Sequence, residues 1–350
     1  MRSAAAHRLR ARLLTGALAL SLSGLPAVAQ APTSEEPPAP EAAPSAPAPA
    51  APKPGPRGPE ARKLFGAKHD AAPLAPRAIG FYSRGCLSGA KPLAIDGPNW
   101  QAMRLSRNRN WGHPELIALV EQLAKDAKAM DGWPGLLVGD LSQPRGGPML
   151  TGHASHQIGL DADIWLTPMP NRRLTEKERE DISAVSMLGA DGVLADEKVF
   201  TAAHARLIRR AATYPNVERI LVHPGIKKAL CLDPASTKGS LSKIRPFWGH
   251  HYHMHIRIAC PKGSEGCAGQ QPVGNDDGCG KEVDDWIALL RRPPRPVDPS
   301  LKPPPPKPQL TLEQLPAECR LVLEAGAQPG DVPAAAPARP RAPKGVARGQ

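Results

Sequence analysis

Histidine is scarce in this chain, 11 residues in 350, and aromatic residues make up only 4% of it. Several familiar signatures are missing as well. No C-x-x-C pair occurs among the six cysteines, which argues against a closed zinc-thiolate site. No H-E-x-x-H run is present, so a peptidase built on that helical zinc motif is excluded. No stripe of basic residues interleaved with aromatics runs through the sequence, and nucleic acid is therefore not an expected partner. Beyond the first thirty residues no apolar stretch is long enough to span a bilayer. There is no internal repeat.

What is present begins with a leader. Met1–Arg12 carries Arg2, Arg8, Arg10 and Arg12 and no acid, Leu13–Leu25 is largely apolar, and Ala27-Val28-Ala29 offers the small residues that a signal peptidase accepts. Residues 1–29 thus read as a cleavable secretory signal. No cysteine follows the cut, which disfavours a lipid anchor there. The expected compartment is the periplasm, without membrane insertion. Loss of the four arginines lowers the formal net charge from +12 to +8, a balance suited to an anionic polymer such as cell wall. All six cysteines (Cys86, Cys231, Cys260, Cys267, Cys279, Cys319) lie beyond the leader, and an even number in an oxidising compartment points to disulfides. Cys260 and Cys267 are near enough to close a small loop; spacing leaves the other pairings open.

Composition divides the remainder. Residues 30–61 are Pro/Ala-rich, with too few large apolar side chains to offset chain entropy, and read as an extended linker. Residues 62–292 are long enough for one well-filled domain. Residues 293–324 form a proline-rich extension containing Cys319, and 325–350 a disordered basic tail. Within the core, His113–Met130 has a helical apolar face of Leu116, Val120, Leu123 and Ala127, with Pro114 and Glu115 suited to its first turn. Val199–Ala212 and a short segment opening at Pro224 read as further helices. Leu136–Val138, Leu160–Trp165, Val217–Val222 and His253–Ile258 read as strands. Irregular spacing of these elements favours an α+β fold with a central, mainly antiparallel sheet.

The few histidines are not spread evenly. GHASHQIGLDADI, residues 152–164, packs two of them beside two aspartates. His153 could simply bond to backbone, and Asp161 or Asp163 could simply end a strand. In the strand that follows residue 252, however, His253 and His255 leave one face while Met254, Ile256 and Ile258 leave the other. Gly159 lets the chain turn so that a loop imidazole and a strand carboxylate can converge. His156, Asp163 and His255 then make two imidazoles and a carboxylate, the donor set of a catalytic zinc site. By strand parity His251 shares the face of His253 and His255, and His250 points away. His113 reads as a capping or packing residue, and His69, His204 and His223 as structural.

Taken together, GHASHQIGLDADIW, WGHHYHMHIRIACP, NWGHPEL and ALCLDP resemble the penicillin-insensitive murein endopeptidases, within the wider lysostaphin/D-Ala-D-Ala-peptidase/hedgehog group of zinc folds. The resemblance runs from about Ile79 to Cys319. It implies a single zinc-peptidase domain in which His156, Asp163 and His255 ligate Zn²⁺, His153 is a further candidate ligand, and His253 stays unliganded beside the metal. It selects His250, against the parity argument, as a second active-site histidine, which requires a turn or bulge at Gly249–His251. A second metal near Asp191 is not expected, since its histidine partner is replaced by Leu194. The implied disulfides are Cys86–Cys319, Cys231–Cys279 and Cys260–Cys267. The implied substrate is the D-alanyl–meso-diaminopimelyl cross-link of peptidoglycan, with His250 and His253 jointly as catalytic histidines and Asp161 orienting a ligand. Two alternatives stand beside this: a D,D- or L,D-carboxypeptidase on the same metal core, and a non-catalytic wall-binding zinc protein.

Overall fold

A computed structural model of the chain describes residues 58–293, apart from 238 and 275, and residues 308–326. The expected leader, most of the linker, residues 294–307 of the proline-rich extension and nearly all of the tail lie outside the described residues. In chain order the strands are β1 Arg77–Phe81, β2 Arg84–Ser88, β3 Lys91–Pro92, β4 Asp96–Gly97, β5 Trp100–Ala102, β6 Trp111–Gly112, β7 Leu136–Val138, β8 Asp161–Trp165, β9 Val217–Val222, β10 Ile244–Pro246 and β11 His253–Ile258. The helices are α1 Ala61–Gly66, α2 Pro114–Met130, α3 Glu176–Asp181, α4 Ala202–Thr213, α5 Pro224–Leu232, α6 Lys281–Leu290 and α7 Glu318–Glu324.

Seven strands form one sheet in the order β10-β9-β11-β8-β7-β5-β4. The β10–β9 and β5–β7 pairs are parallel and the other pairings antiparallel, so the architecture is mixed α and β around a mostly antiparallel sheet. Parallel neighbours need a crossover, and α2 and α5 supply the two required. The expected strands fall where alternation put them, with β8 starting at Asp161 rather than Leu160. The helix expected from Val199 begins instead at Ala202, because Thr201 forms its capping box with His204. Strand β10 is too short for a periodic signal, and helix α6 went unread although Val283 and Ile287 stand four apart on its buried face.

One face of the central strands is core. Ala162, Ile164, Met254, Ile256 and Ile258 are fully buried and pack with Leu116, Val120, Leu123 and Ala127 of α2 and with Leu207, Ile208 and Ala211 of α4. A second cluster joins the two ends of the described chain. Phe65 of α1, Ile79 of β1 and Val322 and Leu323 of α7 pack around the Cys86–Cys319 disulfide. The Arg145 guanidinium donates to the carbonyls of Val322, Leu323 and Ala325, capping the last turn of α7. The other two disulfides are Cys231–Cys279 and Cys260–Cys267, and no cysteine is free.

Three histidines outside the central cluster perform one task. His113 Nδ1 accepts from the Glu115 N–H at 3.3 Å, His204 Nδ1 from the Thr201 N–H at 3.1 Å, and His223 Nδ1 from the Gly225 N–H at 3.0 Å. His113 and His223 stand at the N-cap in place of the usual Ser, Thr or Asp acceptor, and His204 takes the part that Glu or Gln usually plays at the third position of a capping box. An imidazole can accept there only when neutral. Burial pushes all three below the ordinary histidine value, His223 to about 4, with the neighbouring His251 assisting and Asp191 opposing.

An acid-side loss of stability follows. Between the ordinary His223 value of 6.5 and about 4, the unfolded chain takes a proton that the folded chain refuses, so this contribution is full above that window and falls as pH drops through it. His223→Asn keeps an acceptor that does not titrate. Its urea midpoint should fall less steeply than that of the wild type between pH 7 and 4.5; equal slopes would contradict the cap assignment.

Candidate metal centre

The site is assembled by strand register. In the antiparallel β8–β11 pair, His255 stands opposite Asp163 and Arg257 opposite Asp161, and residues so opposed share a face. Asp161, Asp163, His253, His255 and Arg257 are all buried. The loop before β8 supplies His153 and His156. Gly159, at φ +70°, turns that loop into the strand, and a Cβ there would meet Leu87 at 2.4 Å. The Ser142 hydroxyl donates to the His156 carbonyl at 2.6 Å and holds the loop in place.

Three of the imidazoles around Asp163 have one nitrogen committed and the other turned inward. His156 Nδ1 donates to the Leu141 carbonyl at 2.6 Å, leaving Nε2 3.4 Å from Asp163 Oδ1. His255 Nε2 donates to Asp161 Oδ1 at 2.9 Å, leaving Nδ1 3.1 Å from Asp163 Oδ1. His153 Nε2 donates to Asp140 Oδ2 at 3.1 Å, leaving Nδ1 3.5 Å from Asp163 Oδ2. This arrangement fixes the tautomer of a metal-binding histidine. His156 Nε2 and Asp163 Oδ1, with His253 Nδ1, are buried without a hydrogen-bond partner among the described residues. Orphaned lone pairs of this kind call for an ion or water. The donor set therefore fits a metal.

Ligand atoms of His153, His156 and Asp163 lie within 4.8 Å of one another. The structure thus groups His153, a subsidiary expectation from sequence, directly with His156 and Asp163. His255 approaches the same carboxylate, its ring centroid 4.7 Å from that of His156. His253 Nε2 is 3.6 Å from Asp163 Oδ1. The ring of His250 lies 4.9 Å from that of His253 and 5.6 Å from that of His255. His251 turns the other way, with Nδ1 2.9 Å from Ser186 Oγ. Parity misplaces these two because the chain is not a strand there: Gly249 and His250 have φ of +70° and +51°, and β11 begins only at His253. Asp191, already engaged by the N–H groups of Val193 and Leu194, is absent from the cluster.

Four described non-glycine residues have positive φ: Arg104, Asn108, His156 and His250. Two are histidines of this cluster, and two bracket the 3-10 turn Leu105–Arg107 at the rim of the adjoining cleft. Left-handed backbone of this kind gathers at functional sites.

Within the cluster, burial opposes ionisation of Asp163, but His253, His156 and His153 outweigh it and hold the carboxyl well below its ordinary range. Asp161 is likewise held down against burial, by Arg257 first and His255 next. Burial drives His250 well below its ordinary value and His253 to about 4, so both rings are neutral near pH 7.

A profile of the penicillin-insensitive murein endopeptidase family matches residues 78–324. The chain belongs to this peptidase family. Among curated relatives named penicillin-insensitive murein endopeptidase, the Haemophilus influenzae protein is 44% identical over 234 residues, covering 66% of this chain and 80% of that one. The Yersinia enterocolitica protein is 37% identical over 254 residues, covering 71% and 86%, and the Klebsiella pneumoniae subsp. pneumoniae protein 37% over 250 residues, also 71% and 86%. The endopeptidase assignment thus stands on most of the length of both partners.

Supports of the cluster escaped the sequence reading. Arg257 donates to both Asp161 oxygens, at 2.7 and 3.3 Å, and stacks 3.9 Å from the Tyr82 ring centroid. Its signal was available, since HMHIR places it on the histidine face two residues beyond His255. Asp140 accepts from Arg107, Arg109 and His153, and its carbonyl accepts from the Asp163 N–H; only the fold reveals it. Removing Asp161 should strand a buried guanidinium. Asp161→Ala is expected to lower the unfolding free energy by about 3–5 kcal/mol, measured in urea. Asp161→Ala/Arg257→Met should recover part of the loss, and a double variant no better than the single would contradict the pairing.

Proposed function

We propose that this protein is a zinc-dependent endopeptidase of the periplasm that hydrolyses D-alanyl–meso-diaminopimelyl cross-links in peptidoglycan. The observation carrying this reading is the set of inward-facing ring nitrogens of His156, His255 and His153 around Asp163, in a member of the murein endopeptidase family. Compartment rests on the leader sequence and on three disulfides, which suit an oxidising space. His156, Asp163 and His255 would hold the metal, with His153 as a further candidate ligand. Zinc when bound there supplies Lewis acidity, polarising the scissile carbonyl and lowering the pKa of water towards ~7.

The protein's own groups do the rest. Leu141 and Asp161 hold the His156 and His255 rings by their remote nitrogens, so the donor atoms are oriented before substrate arrives. His250 Nδ1 donates to the Trp248 carbonyl at 2.7 Å, leaving Nε2 as its acceptor. His253 and His250, neutral at working pH, can take a proton during amide hydrolysis and return it to the leaving amine. No serine or cysteine nucleophile is required, and so no group that a β-lactam would acylate takes part.

Dimeric muropeptides should be converted to monomers by the purified protein, and a chelator should stop the reaction. Release of terminal D-alanine alone would favour a carboxypeptidase, and untouched dimers a binding protein. His255→Ala should lose metal and activity together. His253→Ala should retain metal while turnover falls by roughly 10²–10⁴-fold; elemental analysis beside steady-state rates checks the division, and loss of metal from His253→Ala would reverse it.

A further inference from the structure

A cleft of about 270 Å³ opens over Asp163, His153 and His253 and extends past Arg104, Arg107 and Trp165. Its inner end is the metal cluster. Its outer end is cationic, and nothing in the hydrolytic chemistry above uses that charge.

Arg104 is held in place without being neutralised. Its guanidinium donates to the carbonyls of Arg179 at 3.2 Å and Ile182 at 2.9 Å and lies 5.4 Å from the Trp165 ring centroid. No carboxylate is within ion-pair distance of it among the described residues. Glu180, Asp140 and Asp181 act on it only from further off, and Glu180 is already engaged by Ser106. Two N–H groups in use leave three of its five donors uncommitted. Arg107 does have an acid, Asp140 at 3.0 Å, but the same oxygen is 2.8 Å from Arg109 and 3.1 Å from His153. One carboxylate shared among three partners leaves positive charge over, and the Arg107 side chain remains 45% exposed.

We infer that Arg104 and Arg107 form a carboxylate-binding subsite for the amino acid on the leaving side of the scissile bond. This rests on the proposed endopeptidase activity. In a D-alanyl–meso-diaminopimelyl link, the carbon bearing the scissile nitrogen also bears a free carboxylate. When the amide lies at the metal cluster, that carboxylate enters the same cleft, and guanidinium forks match carboxylate geometry. The turn Leu105–Arg107 presents both arginines because Arg104 and Asn108 at its ends adopt left-handed backbone. The subsite orients the substrate and makes no contact with the reacting atoms, so its effect belongs in KM more than in kcat.

The test compares two cross-linked muropeptide dimers, one with free diaminopimelate carboxylates and one with the carboxylate beside the scissile nitrogen amidated. The zinc-loaded wild type should cleave the free form with kcat/KM higher by roughly 10- to 100-fold, the range for a hydrogen bond to a charged group. Arg104→Gln should lose most of that preference through a raised KM, and Arg104→Lys should regain part of it. Arg107→Gln, which leaves the carbonyl contacts of Arg104 intact, should narrow the preference in the same direction. Equal cleavage of both dimers by the wild type, a comparison that needs no variant to fold, overturns the subsite while leaving the endopeptidase reading standing. Retention of the full preference by Arg104→Gln overturns it too. Cleavage of neither dimer by the wild type removes the activity itself and the subsite with it.

Discussion

Two carboxylates two residues apart on one face of a buried strand set the terms for the rest of this structure. Asp161 is fully buried and Asp163 nearly so at the floor of the cleft, and a buried charge is strongly unfavourable unless it is paired. The two are compensated differently. Asp161 is saturated, by Arg257, by His255 Nε2 and by the His156 N–H at 2.9 Å. Asp163 faces only imidazoles and keeps an oxygen without a hydrogen bond. The first carboxylate is therefore a structural anchor that holds His255 by one nitrogen and the loop of His156 by its backbone. The second is left with lone-pair capacity that a cation or a donated proton can use.

That division explains where backbone strain is tolerated. Left-handed φ at a residue with a side chain costs about 1–3 kcal/mol and persists only where the surroundings over-determine it. His156 is fixed by Leu141, Ser142 and Asp161 at once, and His250 by the Trp248 carbonyl and by its own carbonyl accepting from the His223 N–H. The core face of the same strands, with α2 and α4 packed on it, supplies the rigidity from which these loops are hung. The Cys86–Cys319 tether and the Arg145 cap hold α7 against β2.

Much of this was legible in sequence wherever one face of an element is apolar. Alternation in HMHIRI and DADIW located both site strands and the side on which their polar groups emerge. Helix α2 could be read from its spacing, with His113 as its cap. Parity failed at His250 and His251 because periodicity assumes regular backbone, and two successive positive φ angles break it. Contacts between distant segments were invisible for a different reason. Asp140 meets Arg107, Arg109 and His153 only once loops from separate elements have been brought together, and no local pattern encodes that. The part His204 and His223 play at helix starts was likewise missed, both having been read only as structural for want of convergent partners.

The two ends of the cleft carry opposite electrostatic problems, and the sequence solves both with few charges. Around Asp163 a surplus of lone pairs attracts a cation. Around Arg104 and Arg107 a surplus of guanidinium attracts an anion, and Asp140 between them is pulled well below its ordinary range against the effect of burial, by His153 first and then Arg109 and Arg107. Asp140 thus touches both ends, through His153 to the metal cluster and through Arg107 to the cationic rim. A neutral peptide would suit only the metal end. A substrate whose carbonyl oxygen suits a metal and whose neighbouring carboxylate suits arginine satisfies both, and its amide is thereby placed along the line joining the two. On the proposed subsite, selectivity for a link with a free carboxylate beside the scissile nitrogen follows from charge placement.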